Sequence, residues 1–166
     1  MEAYKKYQLK NDWNAELWII GDDGEMKLFK KIAKKLEVIE GVKFWGKQFG
    51  SDKLNIVSQM DVFFHPSRNE GLPGAVLEAA ALGIPCVVSK ESNMAEYINN
   101  YSAGIGLDIN NTDQIYKAMV IMSKSIKKTV KKKYKENSLR MINEEFDWKF
   151  IAERHRKSYL LTKNTI

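Results

Sequence analysis

Short apolar runs alternate along this chain with longer stretches in which apolar residues recur every three or four positions. The runs at 15–20, 42–45, 62–64, 86–88 and 104–107 are too short for helices and read as strands of a buried sheet. Tyr4, Tyr7 and Leu9 sit on a predicted helix over 2–10, and Met26, Phe29, Ile32, Ala33 and Leu36 mark another over 25–36. Ser51-Asp52 predicts the cap of a helix running to about 60 with Leu54, Ile56 and Val57 inward, and Thr112 that of a helix carrying Ile115, Met119 and Met122. A short helix is expected over 91–99, and polar turns over 11–14 and at Gly21-Asp22-Asp23-Gly24. Strands that alternate with helices predict an α/β chain, a parallel sheet with helices on both faces. In such sheets a ligand lies beyond the strands' carboxyl ends.

Residues 63–89 carry the densest information. Pro66 stops a strand, and a polar loop follows. Pro73 sits where a helix favours its first residue, Gly83 closes that helix, and Pro85 forbids its continuation into the next strand. Ala75, Val76, Leu77, Ala79, Ala80, Ala81 and Leu82 surround Glu78 and predict a helix buried nearly all round. A carboxylate there must be paired or face a cleft. The helix start at Gly71 to Gly74 offers free N–H groups, which suit an anion, and Glu78 lies roughly 7 Å farther on at 1.5 Å per residue. A diphosphate at the tip, with hydroxyls reaching Glu78 on one side and the loop residue Glu70 on the other, fits that ruler.

Beyond 127 the pattern thins. A basic helix over 127–145 bears only Val130, Tyr134, Leu139, Met141 and Ile142 as apolar residues, and Phe146-Asp147-Trp148 marks a break. A final helix over 148–161 carries Trp148, Ile151, Ala152, His155 and Tyr159 on one stripe.

Composition narrows the class. At 166 residues, with 44% hydrophobic and 29% charged positions, the chain reads as one soluble domain. The single Cys86 allows no internal disulfide and no cysteine metal cluster. No apolar run reaches the roughly 20 residues of a membrane helix, and the N-terminus lacks a signal-peptide layout, so the expected location is cytoplasmic. The net charge of +6 is concentrated at Lys124, Lys127, Lys128, Lys131, Lys132, Lys133 and Lys135. That segment reads as a solvated helix face, with an anionic membrane surface as the alternative. Nucleic acid is not expected, because Tyr134 is the sole interleaved aromatic and no nucleic-acid motif accompanies the lysines.

The run Glu70-Gly71-Leu72-Pro73, four residues, then Glu78-Ala79 resembles the E-x7-E motif of GT-B glycosyltransferases of the family-4, or group 1, type. Asp61-Val62-Phe63-Phe64-His65-Pro66-Ser67 resembles the strand before that motif, and Ala81-Leu82-Gly83-Ile84-Pro85-Cys86-Val87-Val88-Ser89 the segment after it. Leu17 to Gly24 resembles a strand and glycine turn of the family, and Val42-Lys43-Phe44-Trp45-Gly46 the strand after it. The matches cover most of the chain in the right order.

The resemblance implies a Rossmann-like parallel sheet flanked by helices, the carboxyl-terminal half of a GT-B fold. It implies a single donor-binding domain over 1–166, truncated at its first strand, with 147–166 as a helix that would pack on an absent amino-terminal acceptor domain. It implies a retaining transfer of sugar from a nucleotide-sugar donor to a glycan or lipid-linked acceptor, as in polysaccharide assembly. Glu70 would contact the donor sugar as the catalytic carboxylate, and Glu78 the ribose hydroxyls. Gly71, Leu72, Pro73 and Gly74 would present backbone to the diphosphate and sugar, while Gly21, Gly46 and Lys47 would line the donor pocket. Arg68 would touch phosphate. No cofactor or metal is implied.

Other readings stay open. Gly21 to Gly24 is also an ordinary solvated turn, Gly46-Lys47 equally so, and the Asp22-Asp23 pair alone is weak evidence for a metal. His65 as a catalytic group lacks a visible orienting partner, and His155 reads as structural. The cations that clamp the donor diphosphate in the family precede this chain's first helix, so the fragment alone is expected to be inactive and prone to self-association. The alternative is a non-catalytic nucleotide-binding or interaction module of the same fold. Peripheral attachment to the inner membrane face would suit a lipid-linked acceptor.

Overall fold

A computed structural model describes residues 1–10, 15–21, 24–125 and 128–163. The turn at 11–14, Asp22-Asp23 and Lys127 lie outside the described residues. The elements follow one another as α1 (Glu2–Lys10), β1 (Leu17–Ile20), α2 (Met26–Lys35), β2 (Val42–Gly46), α3 (Gly50–Ser58), β3 (Phe63–His65), α4 (Gly74–Ala81), β4 (Cys86–Ser89), α5 (Ala95–Asn100), β5 (Gly104–Leu107), α6 (Thr112–Ser125), α7 (Lys128–Met141) and α8 (Trp148–Lys163). A π-helical segment, Ile142–Phe146, joins α7 to α8.

All strand pairs are parallel, as the alternation of elements requires, but they form two sheets rather than one. β1 pairs with β2, and β3, β4 and β5 pair in that order. Among the described residues, β1, β2, β3 and β5 each keep one edge without a strand partner.

β4 is the centre of the larger sheet and is buried along its whole length. Its period of two sorts the core. Cys86 and Val88 face Val76, Ala79 and Ala80 of α4 and Met94, Ala95 and Ile98 around α5. Val87 faces the other way, toward Leu107 of β5 and Ala118 and Met122 of α6. The smaller sheet has its own core, in which Tyr4 of α1 and Ala33 of α2 pack with Val42 and with the half-buried Leu17, Ile19 and Phe44. Two side chains join the cores. Met119 of α6 packs on the smaller sheet, and Ile20 of β1 packs into the α4 side of the larger one.

Local details depart from the sequence pattern in four places. α4 is buried only on the side of Val76, Ala79 and Ala80, while Gly74, Ala75 and Ala81 are exposed. Alanine's small apolar side chain carries no obligation to be buried. Pro73 is the cap of α4 rather than its first residue. Phe49 caps α3 with no side-chain bond, and Leu54 is 38% exposed rather than inward. Asn111, not Thr112, caps α6, accepting the Gln114 N–H at 2.9 Å.

Gly83 does what its position in the sequence suggests. It lies at φ +76° after the last turn of α4, and the Ile84 N–H reaches the Ala79 carbonyl at 3.0 Å, closing a Schellman motif. α8 leaves the body of the domain. Trp148, Phe150, Tyr159 and Leu160 are exposed along it, and none of its described side chains is buried.

Candidate functional site

β3 ends at His65, and the chain crosses Pro66 to Pro73 before α4 begins. This loop is fixed by the segments that follow the two neighbouring strands. The Ser89 hydroxyl donates to the Ser67 carbonyl. Asn110, beyond β5, donates to the Pro66 and Ser67 carbonyls at 3.0 and 2.9 Å. Asn93, beyond β4, donates to the Glu70 and Gly71 carbonyls at 2.8 and 3.1 Å, and the Glu70 N–H donates to the Glu91 carbonyl at 3.1 Å. Backbone groups are thereby spoken for, while the Glu70 side chain remains 39% exposed. Its Oε1 lies 3.5 Å from His65 Nε2, a distance of electrostatic contact rather than a hydrogen bond. Glu70 is thus the carboxylate nearest to His65 Nε2 in the structure, but no hydrogen bond orients the imidazole.

The N-terminus of α4 is open. No side chain caps it, and Pro73 contributes no N–H. A Cβ built on Gly71 or Gly74 would meet nothing within 4 Å, so the backbone at both positions borders free space. The first N–H groups of the helix and its dipole therefore face a region accessible to an anion. Leu72 is exposed beside them and Pro73 is buried beneath them.

Glu78 lies in the second turn of α4 and is half-exposed, not enclosed. Its carboxylate is held by Lys53 from the first turn of α3, with Nζ 2.8 Å from Oε1 and 2.6 Å from Oε2. α3 starts from the carboxyl end of β2, and α4 starts beyond the carboxyl end of β3. This ion pair therefore ties together the carboxyl-end surfaces of the two sheets. A partly exposed pair adds at most about 1 kcal/mol to stability. Its larger consequence is positional, because one ammonium touches both oxygens.

Gly21 and Gly46 close the carboxyl ends of β1 and β2. The Gly21 N–H donates to the Gly46 carbonyl at 2.8 Å, and both residues have positive φ, +105° and +68°. Neither position would crowd a Cβ, so the glycines serve the turn and leave open space above it. Lys47 and Arg68 are exposed in the loops after β2 and β3.

The structure thus gathers Glu70 with His65, Glu78 with Lys53, Gly71 to Gly74 at one helix tip, and Gly21 with Gly46. It adds Lys53, Asn93 and Asn110, which sequence reasoning missed. Each acts across 22 to 44 residues of chain, and no local pattern signals such a partnership.

The sequence matches the family described as "Glycosyl transferases group 1" over residues 1–141. A curated relative from Escherichia coli, the UDP-Gal:alpha-D-GlcNAc-diphosphoundecaprenol alpha-1,3-galactosyltransferase, is 29% identical over 116 residues, 69% of this chain and 30% of the relative. Two solved structures share the fold. A glycosyltransferase from Rickettsia africae superposes with a TM-score of 0.79 at 17% identity over 95% of this chain and 42% of its own. The Anabaena protein HepE in complex with UDP superposes with a TM-score of 0.73 at 18% identity over 98% of this chain and 45% of its own. The chain spans about a third of the length of the first curated relatives it matches. With the two glutamates, the helix tip and the parallel strands all falling inside the matched span, this chain belongs to the glycosyl transferases group 1 family.

Proposed function

We propose that this chain is the nucleotide-sugar donor-binding domain of a retaining glycosyltransferase that passes a sugar to a glycan or lipid-linked acceptor. The observation that carries the reading is the open, uncapped start of α4 with Glu70 before it and Glu78 one turn inside it. The donor diphosphate sits on the first N–H groups of α4, where the helix dipole and the peptide donors stabilise negative charge. Glu78 accepts hydrogen bonds from two ribose hydroxyls, and Glu70 from the donor sugar. Gly71 and Gly74 allow the backbone to approach the diphosphate closely, and Gly21, Gly46 and Lys47 border the base. Arg68 adds a cation near the phosphates.

In this reading the developing charge on the departing diphosphate is stabilised by the helix tip and by cations, without a metal. The acceptor side of the site, and further cations for the diphosphate, come from residues outside this sequence. Relatives whose names specify diphosphoundecaprenol-linked substrates support a lipid-linked acceptor, reached from the cytoplasmic face of a membrane. Among the described residues no helix is long and apolar enough to cross a membrane.

The reading is tested by calorimetric titration of the chain with UDP, GDP and ADP. One nucleotide binds, with a Kd of about 1 mM or ~4 kcal/mol, and binding is lost in Glu78→Ala. Equal binding of all three, or binding that survives Glu78→Ala, overturns it. Sugar transfer is absent from the chain alone in this reading, and measurable turnover would contradict that part. A second reading, a nucleotide-binding or interaction module without catalysis, is favoured by the unpartnered edges of the two sheets among the described residues. It requires that extension to the length of the relatives restore binding but not turnover.

A further inference from the structure

We infer that Lys53 is the positioning residue of the nucleotide site, fixing the plane of the Glu78 carboxylate so that an outward oxygen face meets the ribose hydroxyls; the inference rests on the donor-site reading above. Three observations lead there. Lys53 Nζ contacts both oxygens of the Glu78 carboxylate, at 2.8 and 2.6 Å, rather than one. The two side chains are 30% and 39% exposed, so the pair lies at the border of the body and the open side of α4, not in free solvent. They come from different helices, each of which starts beyond the carboxyl end of a strand in a different sheet.

The chemistry follows from the lone pairs. A carboxylate has about four acceptor positions, two on each oxygen. An ammonium seated between the oxygens takes the inward lone pair of each and leaves the outward pair, which point to opposite sides of the carboxylate. Ribose then binds from one side, its adjacent hydroxyls sharing the outward face of one oxygen. A glutamate on an exposed helix face otherwise turns freely about its terminal torsion, and its oxygens present no fixed plane. Lys53 also offsets the negative charge of Glu78, which in this reading lies one helical turn from a diphosphate. Orientation and charge act in the same direction, toward binding.

The alternative is that Lys53 competes with the ribose for Glu78. The two differ in sign. In titrations of the 166-residue chain with UDP, GDP, ADP and their 2′-deoxy counterparts, Lys53→Met keeps the apolar stem and removes the charge. It weakens the preferred ribonucleotide about tenfold and brings the ribose-to-deoxyribose preference toward unity, with the amide spectrum and melting temperature otherwise unchanged. Lys53→Arg retains most of the preference. A structural role alone would lower the melting temperature and leave the preference intact. Tighter or unchanged binding by Lys53→Met, or a preserved preference, overturns the inference. If Glu78→Gln abolishes the preference while Lys53→Met does not, the nucleotide site stands and this inference fails. If no nucleotide binds the unaltered chain, both fail together. Should Lys53→Met unfold, Lys53→Gln, which keeps a donor but not the charge, gives the same comparison.

Discussion

Asn93 donates its side-chain amide to the Glu70 carbonyl at 2.8 Å, and it does so from a left-handed backbone conformation at φ +55°. Asparagine tolerates that conformation, and its short amide reaches a carbonyl 23 residues away. The glutamate loop is therefore held by a residue on a different loop. Asn93→Ala removes both amide bonds and places an alanine where only glycine and asparagine sit easily. The expected loss of stability is about 1–2 kcal/mol in chemical denaturation. Asn93→Gly, which keeps the backbone free, should cost about half as much. Faster amide exchange at Ser67 to Leu72 should accompany both, and unchanged exchange there would mean the loop is held elsewhere.

Two glycines should respond oppositely to alanine. A Cβ on Gly104 would lie 1.9 Å from the Cys86 carbonyl oxygen, within the β4–β5 pairing. Neither backbone can yield without breaking the sheet, so Gly104→Ala should cost about 3 kcal/mol or more, or prevent folding. Gly74→Ala meets nothing within 4 Å and places a better helix former at the start of α4. Its stability should be equal or up to about 1 kcal/mol higher, while nucleotide binding falls because the methyl group enters the space before the helix tip. Undiminished binding by Gly74→Ala would remove the helix tip from the site.

Cys86 is fully buried in β4, and burial pushes its thiol up to about 12 from an ordinary value of 9.0. The native state thus keeps its proton where the unfolded state loses it. This contribution to stability is whole below pH 9 and is lost as pH rises toward 12. Denaturation midpoints should fall across that window, and Cys86→Ala should flatten the fall. At pH 8 a thiol reagent should label the folded chain only at the rate of global unfolding.

The unpaired edges of the two sheets, with Trp148 81% and Tyr159 73% exposed on α8, favour association of one copy with another. Sedimentation velocity should show a mass that rises with concentration, and Trp148→Ser combined with Leu160→Ser should lower it. A monomer at every concentration would mean that these surfaces are compatible with water as they stand.

Much of the fold is legible in local patterns. Every expected strand appears within two residues of its expected bounds, because short apolar runs between turn residues have few other solutions. Gly83 and Pro85 located the end of α4 correctly because φ > 0 and a missing N–H are local properties. The helix over 91–99 divided instead. Lys90–Ser92 form a 3-10 turn, Asn93 takes the left-handed conformation, and α5 starts at Ala95. That break serves Glu70 and Gly71, two residues far away in sequence.

The sequence by itself determined the order of the elements, the sharp start and stop of α4, and the spacing of Glu70 and Glu78 around its tip, since all of these follow from side-chain volume, backbone freedom and helical rise. Only the tertiary structure decided that the strands divide into two sheets, that Glu78 is half-open, and that Lys53 holds both of its oxygens. Those outcomes depend on which surfaces meet across 25 or more residues of chain, and a contact of that kind is selected by the packing of the whole domain rather than by any pattern near either partner.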